Sequence, residues 1–452
     1  MGLRSLSRSK SRLLFRPLPR IGIAYDLFGS GKTVLRGGYG IYLFQVSYND
    51  VQGAYNQPLG IQSVSTPALT SFADAANYKP SVAQGQNGNV STLQKDDNRT
   101  PYTQSWNVTV TQRGPKNSVF EFSYSGNATR NALLTDTGAT AVAAYTNLNK
   151  IPVRALFGPD PKTGITYAPG QVPGGALQDY RPYANYQVLN VATHGSYSNY
   201  NSFVSSWQKQ RGPVTFQINY TFSKALGIRD GQTNNGLNGN GFMTDAFNLR
   251  ANYGTLGYDR THIFNSAYII QLPSPIHGNP LVAGVVNGWQ LSGITQIQSG
   301  PSLQPNTFGT LSAGFLPGVS NQSILGTDSQ VLRPLVTCDP RSQKYFNPTC
   351  FASPSAINQN GPAVFPTIKG PAFFDTDLGA YKNFAMRDKQ NIQFRLTAFN
   401  FINHPLPQFG LGSDVNLQLT GTNGTNTNTA TTGKPQYEVG RRVLELAIKY
   451  VF

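Results

Sequence analysis

The stretch Val443 to Phe452, VLELAIKYVF, ends the chain with a strict alternation of side-chain character. Successive side chains of a β-strand point to opposite sides, so a period of two divides the stretch into two faces. The first face is wholly apolar and consists of Leu444, Leu446, Ile448, Tyr450 and Phe452. The second face is mixed and carries Glu445 and Lys449. The pattern predicts a strand with one apolar side and one largely polar side.

The same alternation recurs along the rest of the chain. In VTFQINYTFS, Val214 to Ser223, five apolar residues alternate with five polar ones. The three-residue turn Arg211 to Pro213 precedes this strand, and the turn RGPKN at 113–117 separates a similar pair, so each pair is predicted to form a hairpin. Eleven strands are predicted in all, at about 20–27, 33–44, 102–112, 120–125, 200–210, 214–223, 260–272, 287–298, 374–384, 390–402 and 440–452.

The connections between these strands alternate in length. Five are short, at 28–32, 113–117, 211–213, 273–286 and 385–389. Five are long, at 45–101, 127–199, 226–259, 299–373 and 403–439. Short turns at one end and long loops at the other are characteristic of outer-membrane barrels, whose short turns are periplasmic. The predicted fold is an all-β, antiparallel transmembrane barrel of the bacterial outer membrane with long extracellular loops, and a soluble sandwich or propeller is disfavoured.

An odd number of strands bears on how complete this barrel is. Bacterial single-chain barrels have even strand numbers, so either a twelfth strand is present or part of the barrel is absent, and absence is the favoured interpretation. Residues 1–18 are rich in Ser and Arg but lack the apolar core of a secretory signal. We expect 1–18 to be a non-native or disordered lead, and 19–452 to be a partial barrel domain of eleven to twelve strands.

Composition excludes several other classes. No run of about 18 apolar residues is present, which excludes a transmembrane helix. The net charge is +16, but six basic residues fall in the first twenty, at Arg4, Arg8, Lys10, Arg12, Arg16 and Arg20. The remaining excess is dispersed, which favours a solvated surface or a polar lumen over a nucleic-acid partner. Outer-membrane lipid is the predicted partner, and a soluble basic β-protein is the minor alternative.

No motif predicts catalysis, a cofactor or a metal. FGSGKTVLRGG, Phe28 to Gly38, superficially resembles a phosphate-binding loop, but Asp26 stands where that loop needs glycine and a Gly-rich strand follows, so a hairpin turn is predicted. The histidines are scattered without ligand spacing and are predicted to lie in girdles, turns or loops. They are His194, His262, His277 and His404. The chain is predicted not to be an enzyme.

Two cysteines, Cys338 and Cys350, lie twelve residues apart in a polar stretch. Spacing alone does not establish a bridge, but in an exported protein a disulfide that pins a loop is favoured over two free thiols, and the lack of nearby histidine disfavours zinc.

The alternation along the strands also predicts which side chains belong to the membrane girdles and which line the lumen. Aromatic residues near strand ends suit the girdles at the edges of the membrane, and Tyr42, Trp289 and Tyr381 are predicted to belong to them. Polar residues on the opposite parity are candidates for the lumen wall. They are Gln217, Asn219, Gln290, Gln296, Gln393 and Arg395. No ligand-binding residue is predicted among them.

An ordered set of motifs resembles a known family. The set begins with PRIGIAYDLFGSGKTVLRGGYGIY and continues with TPYTQSWNVTVTQR, YNSFVSSWQKQRGPVTFQINYTFSKA, YDRTHIF, NGWQLSGITQIQSG, YFNPTCF and NIQFRLTAFNFINHP. In this order they resemble the C-terminal barrel of TonB-dependent receptors of the Oar-like type, which carry a carboxypeptidase-regulatory-like N-terminal domain. The likeness runs through almost the whole chain from residue 19.

The resemblance implies a receptor or transporter with a 22-stranded barrel, of which this chain would be the C-terminal half. It implies that TonB acts through a plug that is missing from this sequence, and that loops gather an unknown extracellular ligand. It also implies that the barrel-assembly machinery reads the terminal strand at Leu446, Ile448, Tyr450 and Phe452. The alternative left open is a non-transporting surface protein or adhesin that acts through its long loops.

Overall fold

The structure is a computed structural model of the 452-residue chain. It describes residues 17–43, 90–94, 97, 99–134, 148–149, 151–152, 155, 158–167, 179–183, 189–228, 248–303, 324–327, 330–331, 335–345, 347–352, 361–362, 364, 368–385, 390–408, 419–420, 425–426, 434–435 and 437–451. Nearly all of the predicted lead 1–18, and Phe452 at the other end, lie outside this set.

Eleven strands form one continuous sheet in sequence order, and each neighbouring pair is antiparallel. They are β1 (Arg20–Asp26), β2 (Thr33–Leu43), β3 (Tyr102–Arg113), β4 (Ser118–Leu134), β5 (Leu189–Lys209), β6 (Val214–Ile228), β7 (His262–Gln271), β8 (Trp289–Gln298), β9 (Phe373–Ala385), β10 (Asn391–Phe399) and β11 (Val443–Val451). The predicted number, order and antiparallel arrangement of strands are confirmed. Two short strands, Val90–Leu93 and Tyr253–Thr255, pair with β5 and β6 and extend the same sheet.

The strand register gives the sheet one apolar face and one polar face. Residues that lie directly opposite each other on neighbouring strands share a face. Leu396 on β10 lies opposite Leu446 on β11, whereas the next residue, Thr397, lies opposite Glu445. The same parity carries Phe216 on β6 opposite Tyr268 on β7. We call the two sides the apolar face and the polar face.

Three strands extend much further than the alternation predicts. β4 continues to Leu134, β5 begins at Leu189 and β6 continues to Ile228. The apolar stripe of β6 covers only Val214 to Phe222, about nine residues, which is the length needed to cross a membrane. Beyond that level Lys224 follows Phe222 on the same parity, and polar and small residues are mixed with Leu226 and Ile228, so the period of two is lost although the hydrogen-bonded ladder continues.

The short connections lie at one end of the sheet. Between β1 and β2, the Asp26 carboxylate accepts hydrogen bonds from the N–H groups of Gly31 (2.6 Å) and Phe28 (3.4 Å), and Gly29 has φ +66°. This geometry is the predicted hairpin turn. The connection between β7 and β8 carries a helix that the sequence analysis missed, α1 (Pro280–Val286).

The long connections lie at the other end and contain small paired segments. Ile151–Pro152 pairs with Ile324–Thr327, which also pairs with Gln330–Val331; the remaining pairs are Leu335–Val336 with Phe351–Ala352, Ser302–Leu303 with Ile368–Lys369, Leu406–Gln408 with Tyr437–Val439, and Leu419–Thr420 with Thr425–Asn426. Short 3-10 turns occur in the long connections at Leu249–Asn252 and Pro348–Cys350, and in the short turn between β3 and β4 at Pro115–Asn117. The long connections also contain buried apolar side chains, and we call Ile151, Tyr180, Cys350, Phe351 and Ile368 the loop core.

The two edges of the sheet run in the same direction. β1 leads into the short turn before β2, and β11 follows the long connection after β10, so both strands run from the long-loop end to the short-turn end. No helix in the part of the chain that the structure describes has the length and apolar character to span a membrane.

Candidate functional site

Aromatic side chains form two rows across the apolar face. Near the short turns, Trp207 stacks on Phe120 (5.5 Å between centroids) and meets Phe216 edge-on (4.5 Å). Towards the long loops, His262 lies 5.3 Å from Phe222, and its Nδ1 is 2.8 Å from the Tyr220 hydroxyl. Membrane barrels carry such rows of aromatic rings, some with a polar atom, at both edges of the apolar band, where they form the girdles.

Two of the three predicted girdle residues were wrong. Tyr42 lies opposite Thr103, and Tyr381 lies opposite Arg395, so both rings are on the polar face. Only Trp289 is on the apolar face. The prediction failed because closeness to a strand end does not determine parity, and a single residue of displacement changes the face.

The first pocket lies on the polar face of β1–β5, towards the long loops. It has a volume of about 580 Å³. The Arg20 guanidinium lies 4.8 Å from the centre of the Tyr42 ring. That ring lies flat over Gly40, where a Cβ would stand 2.9 Å from the tyrosine hydroxyl, and the Asn107 amide covers Gly38 in the same way. Ser105, Asn127 and Tyr200 complete the wall. A cation, amides, hydroxyls and ring faces together suit hydroxyl-rich or anionic solutes.

The second pocket lies on the polar face of β5–β10 and has a different chemistry. Its volume is about 550 Å³. Ala267, Ile269 and Ile294 form an apolar floor with Phe399, and the Asp377 carboxylate lies at its edge. One Asp377 oxygen already accepts a hydrogen bond from the Asn400 N–H at 2.9 Å. The pocket suits an apolar group better than a hydroxyl-rich one.

All six predicted lumen residues lie on the polar face. Asn219 and Gln296 belong to one cross-strand row with Asn265 and Asp375. The others are Gln217, Gln290, Gln393 and Arg395. Of the six, only Gln217 contributes to either pocket. Near the short turns Gln393 is a hydrogen-bonded link, since it donates to Asn383 (2.8 Å) and accepts from Arg395 Nε (2.6 Å).

Asp259 of the motif YDRTHIF fastens the long-loop end of β6. The side chain is fully buried and lies in the loop before β7. Its carboxylate accepts a hydrogen bond from the Ala225 N–H (2.8 Å) and contacts Lys369 Nζ (2.9 Å) and Lys224 Nζ (3.4 Å). Burial raises the pKa of this carboxyl, but these hydrogen bonds and the two lysine charges outweigh it and leave the pKa below its ordinary value. Two different long connections are thereby tied to one strand.

Asp97 performs a comparable role at the start of β5. Its carboxylate receives Arg99 through Nε (2.7 Å) and Nη2 (3.1 Å), the His194 N–H (2.6 Å) and the Thr193 hydroxyl (3.1 Å). The His194 ring nitrogen is 3.3 Å away. Burial raises the pKa of Asp97, but the bonds from Arg99 and His194 and the charge of Arg99 lower it well below the ordinary range. Nothing in the sequence pointed to this contact, which joins residues 97 positions apart.

A disulfide pins a hairpin on the long-loop side. Cys338 and Cys350 are joined, with their Cα atoms 4.9 Å apart. Within the hairpin, Asp339 and Arg341 form a bidentate pair (2.9 and 3.2 Å), and Lys344 lies 5.3 Å from the Tyr345 ring. Arg341 and Lys344 are both exposed, so the tip presents two cationic side chains to solvent, of which Arg341 is paired with the exposed Asp339.

The terminal strand presents its apolar side chains outward. Leu446, Ile448 and Tyr450 are all exposed on the apolar face of β11. Phe452, the fourth residue of the predicted assembly signal, lies outside the described residues. Among the residues that the structure describes, no group of three or more His, Cys, Asp and Glu side chains is arranged to hold a metal ion.

These features define a class of protein. An antiparallel sheet with an apolar face bounded by aromatic rows, a polar face with pockets, and long connections at one end is the wall of a transmembrane β-barrel. The family model for the outer membrane beta-barrel domain matches residues 14–444. The chain belongs to this family and is a protein of the bacterial outer membrane. Its apolar face therefore contacts lipid, its polar face lines the lumen, and its short turns are periplasmic.

Similar solved structures are outer-membrane transporters and receptors. They include the outer membrane transporter YddB from Escherichia coli (10% identity, 94% of this chain and 39% of that chain, TM-score 0.41). Others are the ferric-catecholate import receptor Fiu from E. coli K12 (8%, 96% and 34%, TM-score 0.39) and the siderophore receptor PirA from Acinetobacter baumannii (10%, 96% and 41%, TM-score 0.42). The chain thus spans about two fifths or less of the length of these structures. No curated protein sequence matches it.

Proposed function

We propose that the chain forms one side of a TonB-dependent receptor or transporter barrel of the Oar-like type. The observation that carries the proposal is the polar face, which bears two pockets of different chemistry. A wall of this kind provides contacts for a solute and for a plug inside the barrel. The ordered motifs from residue 19 onward support the receptor type.

The direction of the two edge strands supports a barrel of more strands. Both β1 and β11 run towards the periplasmic end, so an antiparallel neighbour at either edge runs the opposite way. A second antiparallel sheet can pair with both β1 and β11 if it has an odd number of strands, because its two edge strands then both run towards the extracellular end. Two copies of this chain in the same membrane orientation cannot do so, because every edge they offer runs in the same direction. An eleven-stranded complement would give the 22 strands that the resemblance implies.

In the proposed function, energy from TonB arrives through a plug in the lumen, and the extracellular loops gather the ligand. The barrel-assembly machinery reads Leu446, Ile448, Tyr450 and Phe452 on the terminal strand. The exposure of the first three on the lipid side of β11 leaves them accessible for such recognition.

An uptake experiment tests the receptor proposal. The bacterium that encodes the chain is grown in a defined medium containing ferric citrate, a panel of ferric siderophores and a panel of oligosaccharides, and the loss of each from the medium is measured. A solute that the wild type removes should remain when the coding sequence is deleted and when tonB is deleted. If every solute is removed equally by the wild type and both deletion strains, the transport proposal is wrong for that panel.

A matched pair of variants tests whether the polar face takes part in uptake. Arg20→Gln removes the cation of the β1–β5 pocket, whereas Arg36→Gln removes a cation of the same face that is bonded to Thr111 at 3.0 Å outside the pocket. Uptake should fall about tenfold or more for Arg20→Gln, as expected when one charge-assisted bond is lost, and stay near wild type for Arg36→Gln. Equal effects would assign both residues to barrel structure alone.

A non-transporting surface protein or adhesin is the second candidate. The disulfide-pinned hairpin favours it, because a rigid tip with exposed cations suits adhesion to an anionic surface. Adhesion of cells to immobilised anionic polysaccharide, measured with and without Arg341→Ser and Lys344→Ser, distinguishes this role. The adhesion of cells that carry the wild-type chain should be the same with and without tonB.

A further inference from the structure

The connection between β7 and β8 carries an exposed apolar surface at the periplasmic end of the barrel. In the helix α1, Leu281 is 83% exposed and Val285 67% exposed, and Val282 and Val286 are also exposed. We call these four side chains the helix patch. Residues 271–290 include no Lys, Arg, Asp or Glu. A connection that contacted only water would not be expected to expose four aliphatic side chains on one short helix.

The helix is fastened to the strands rather than loosely attached. The Asn279 side chain caps its N-terminus by accepting from the Leu281 and Val282 N–H groups. Asn287 binds Ile276 through two hydrogen bonds, at 2.7 and 3.2 Å. The Trp289 indole N–H donates to the Val285 carbonyl at 2.8 Å. The orientation of the helix patch is thus fixed by bonds to Ile276 in the segment before the helix and to Trp289 at the start of β8.

The helix patch is continuous with the lipid-facing side of the sheet. Leu272 pairs with Trp289, donating its N–H to the Trp289 carbonyl at 2.9 Å, and both side chains are on the apolar face and exposed. Because the Trp289 indole is bonded to the Val285 carbonyl, this face adjoins the last turn of α1. The apolar surface that contacts lipid therefore does not end with the strands but turns onto the helix.

The surroundings of Lys382 indicate that this region lies at the boundary between hydrocarbon and headgroups. Lys382 lies opposite Trp289 on the apolar face and is almost entirely covered. Its Nζ lies 4.8 Å from the centre of the Phe384 ring and 5.8 Å from the Trp289 ring, and it donates to the Asn287 carbonyl at the end of the helix. A lysine that directs its charge towards a tryptophan and a backbone carbonyl is typical of the level at which hydrocarbon gives way to headgroups.

We propose that α1 is an interfacial anchor that inserts its aliphatic patch into the periplasmic leaflet of the outer membrane. Phospholipid is the occupant of the patch, because the patch continues the lipid-facing surface, adjoins an interfacial Trp–Lys pair and has no charged residue that a periplasmic protein could recognise. The anchor fixes the depth of β7–β9 in the bilayer and is independent of what the barrel transports.

Spin labels report the environment of the patch directly. The full chain, with its disulfide intact, is labelled at Val285→Cys and reconstituted in phosphatidylethanolamine–phosphatidylglycerol vesicles; the substituted side chain is exposed, so the change does not disturb packing. Lys116→Cys, on the short turn between β3 and β4, is the matched control, since it is exposed at the same end of the barrel but outside any apolar patch. Collision with oxygen and with a water-soluble nickel chelate is measured by electron paramagnetic resonance.

Insertion predicts that the label at 285 collides more with oxygen than with the nickel chelate, and that the label at 116 does the reverse. A label at 285 that behaves like the one at 116 would overturn the proposal, because the patch would then be in water. A label at 285 that is open to both reagents in vesicles but shielded from both in native outer membranes would also overturn it, since a periplasmic protein would then be the occupant.

Discussion

The sheet and the loop core use the same kinds of apolar residue in opposite ways. On the sheet, Leu446 is 81% exposed and Ile448 is 69% exposed. In the loop core, Ile151 and Ile368 are fully buried. Large aliphatic side chains on the surface of one region and inside the other show that the two regions face different solvents. The strands are stabilised by surrounding lipid, whereas the extracellular segments must build their own core in water.

This difference divides the stability of the chain into two parts. The loop core depends on close packing, on the disulfide and on buried carboxylates such as Asp259, all of which act in water. The sheet depends on a continuous hydrogen-bonded ladder and on an unbroken apolar face. A substitution should therefore affect one part and leave the other almost unchanged.

The largest expected effect is the loss of a buried ring from the loop core. Phe351→Ala should lower the free energy of unfolding of the extracellular segments by about 3–5 kcal/mol, because it removes a buried side chain and leaves a cavity. Hydrogen exchange of the 335–352 hairpin measures the loss. Thr337→Ala in the same hairpin is exposed and should stay within about 0.5 kcal/mol. Protection of the β6–β8 amides should not change, and a parallel loss there would contradict the division.

A charge on the apolar face should act on the sheet instead. Leu396→Arg places a guanidinium in lipid and should cost about 2–4 kcal/mol of folding free energy in vesicles. Thr397→Arg, on the next residue of β10, points to the polar face opposite Glu445 and should cost under about 1 kcal/mol. The compact fraction on unheated gels after refolding into vesicles measures both. Equal costs for the two variants would show that β10 does not separate lipid from water.

Reduction of the disulfide should affect only the loops. Opening a loop of twelve residues should cost about 3 kcal/mol, on the entropic account of cross-links. Limited proteolysis with and without reductant measures cleavage between 338 and 350. Cleavage should rise on reduction while the compact barrel form on gels persists. Loss of that form on reduction would mean that the hairpin supports the sheet.

The two regions also differ in how far they were predictable. Alternation was visible for every strand because lipid on one side and a lumen on the other impose a period of two, as in Val214 to Phe222. Face assignment failed at Tyr42 and Tyr381, where the argument relied on closeness to a strand end instead of parity. The helix α1 was missed because seven residues between Pro280 and Val286 are too few to give a periodic signal.

The loop core gave no comparable signal. Its contacts join distant segments, such as Ile151 with Ile324, and buried residues there follow no period. The first pocket was equally hidden, since Arg20, Tyr42 and Tyr200 meet only through the register of five strands. Its one sequence signal is the run of glycines in Gly37 to Gly40, which makes room for side chains from neighbouring positions.

The smallest expected effect concerns pH and the contacts of the Asp97 carboxylate. Because the pKa of Asp97 in the folded protein is below that of an unfolded aspartate, these contacts contribute stability above a pH of about 4, and this stability is lost as the pH falls towards the folded pKa. Hydrogen exchange at 193–198 should therefore be unchanged from pH 7 to about pH 5, after correction for intrinsic rates, and should increase only below about pH 4. Asp97→Asn should expose these amides at every pH, while the β10 and β11 amides stay protected throughout. An equal acid response in the β10 amides would mean that the two regions unfold as one unit.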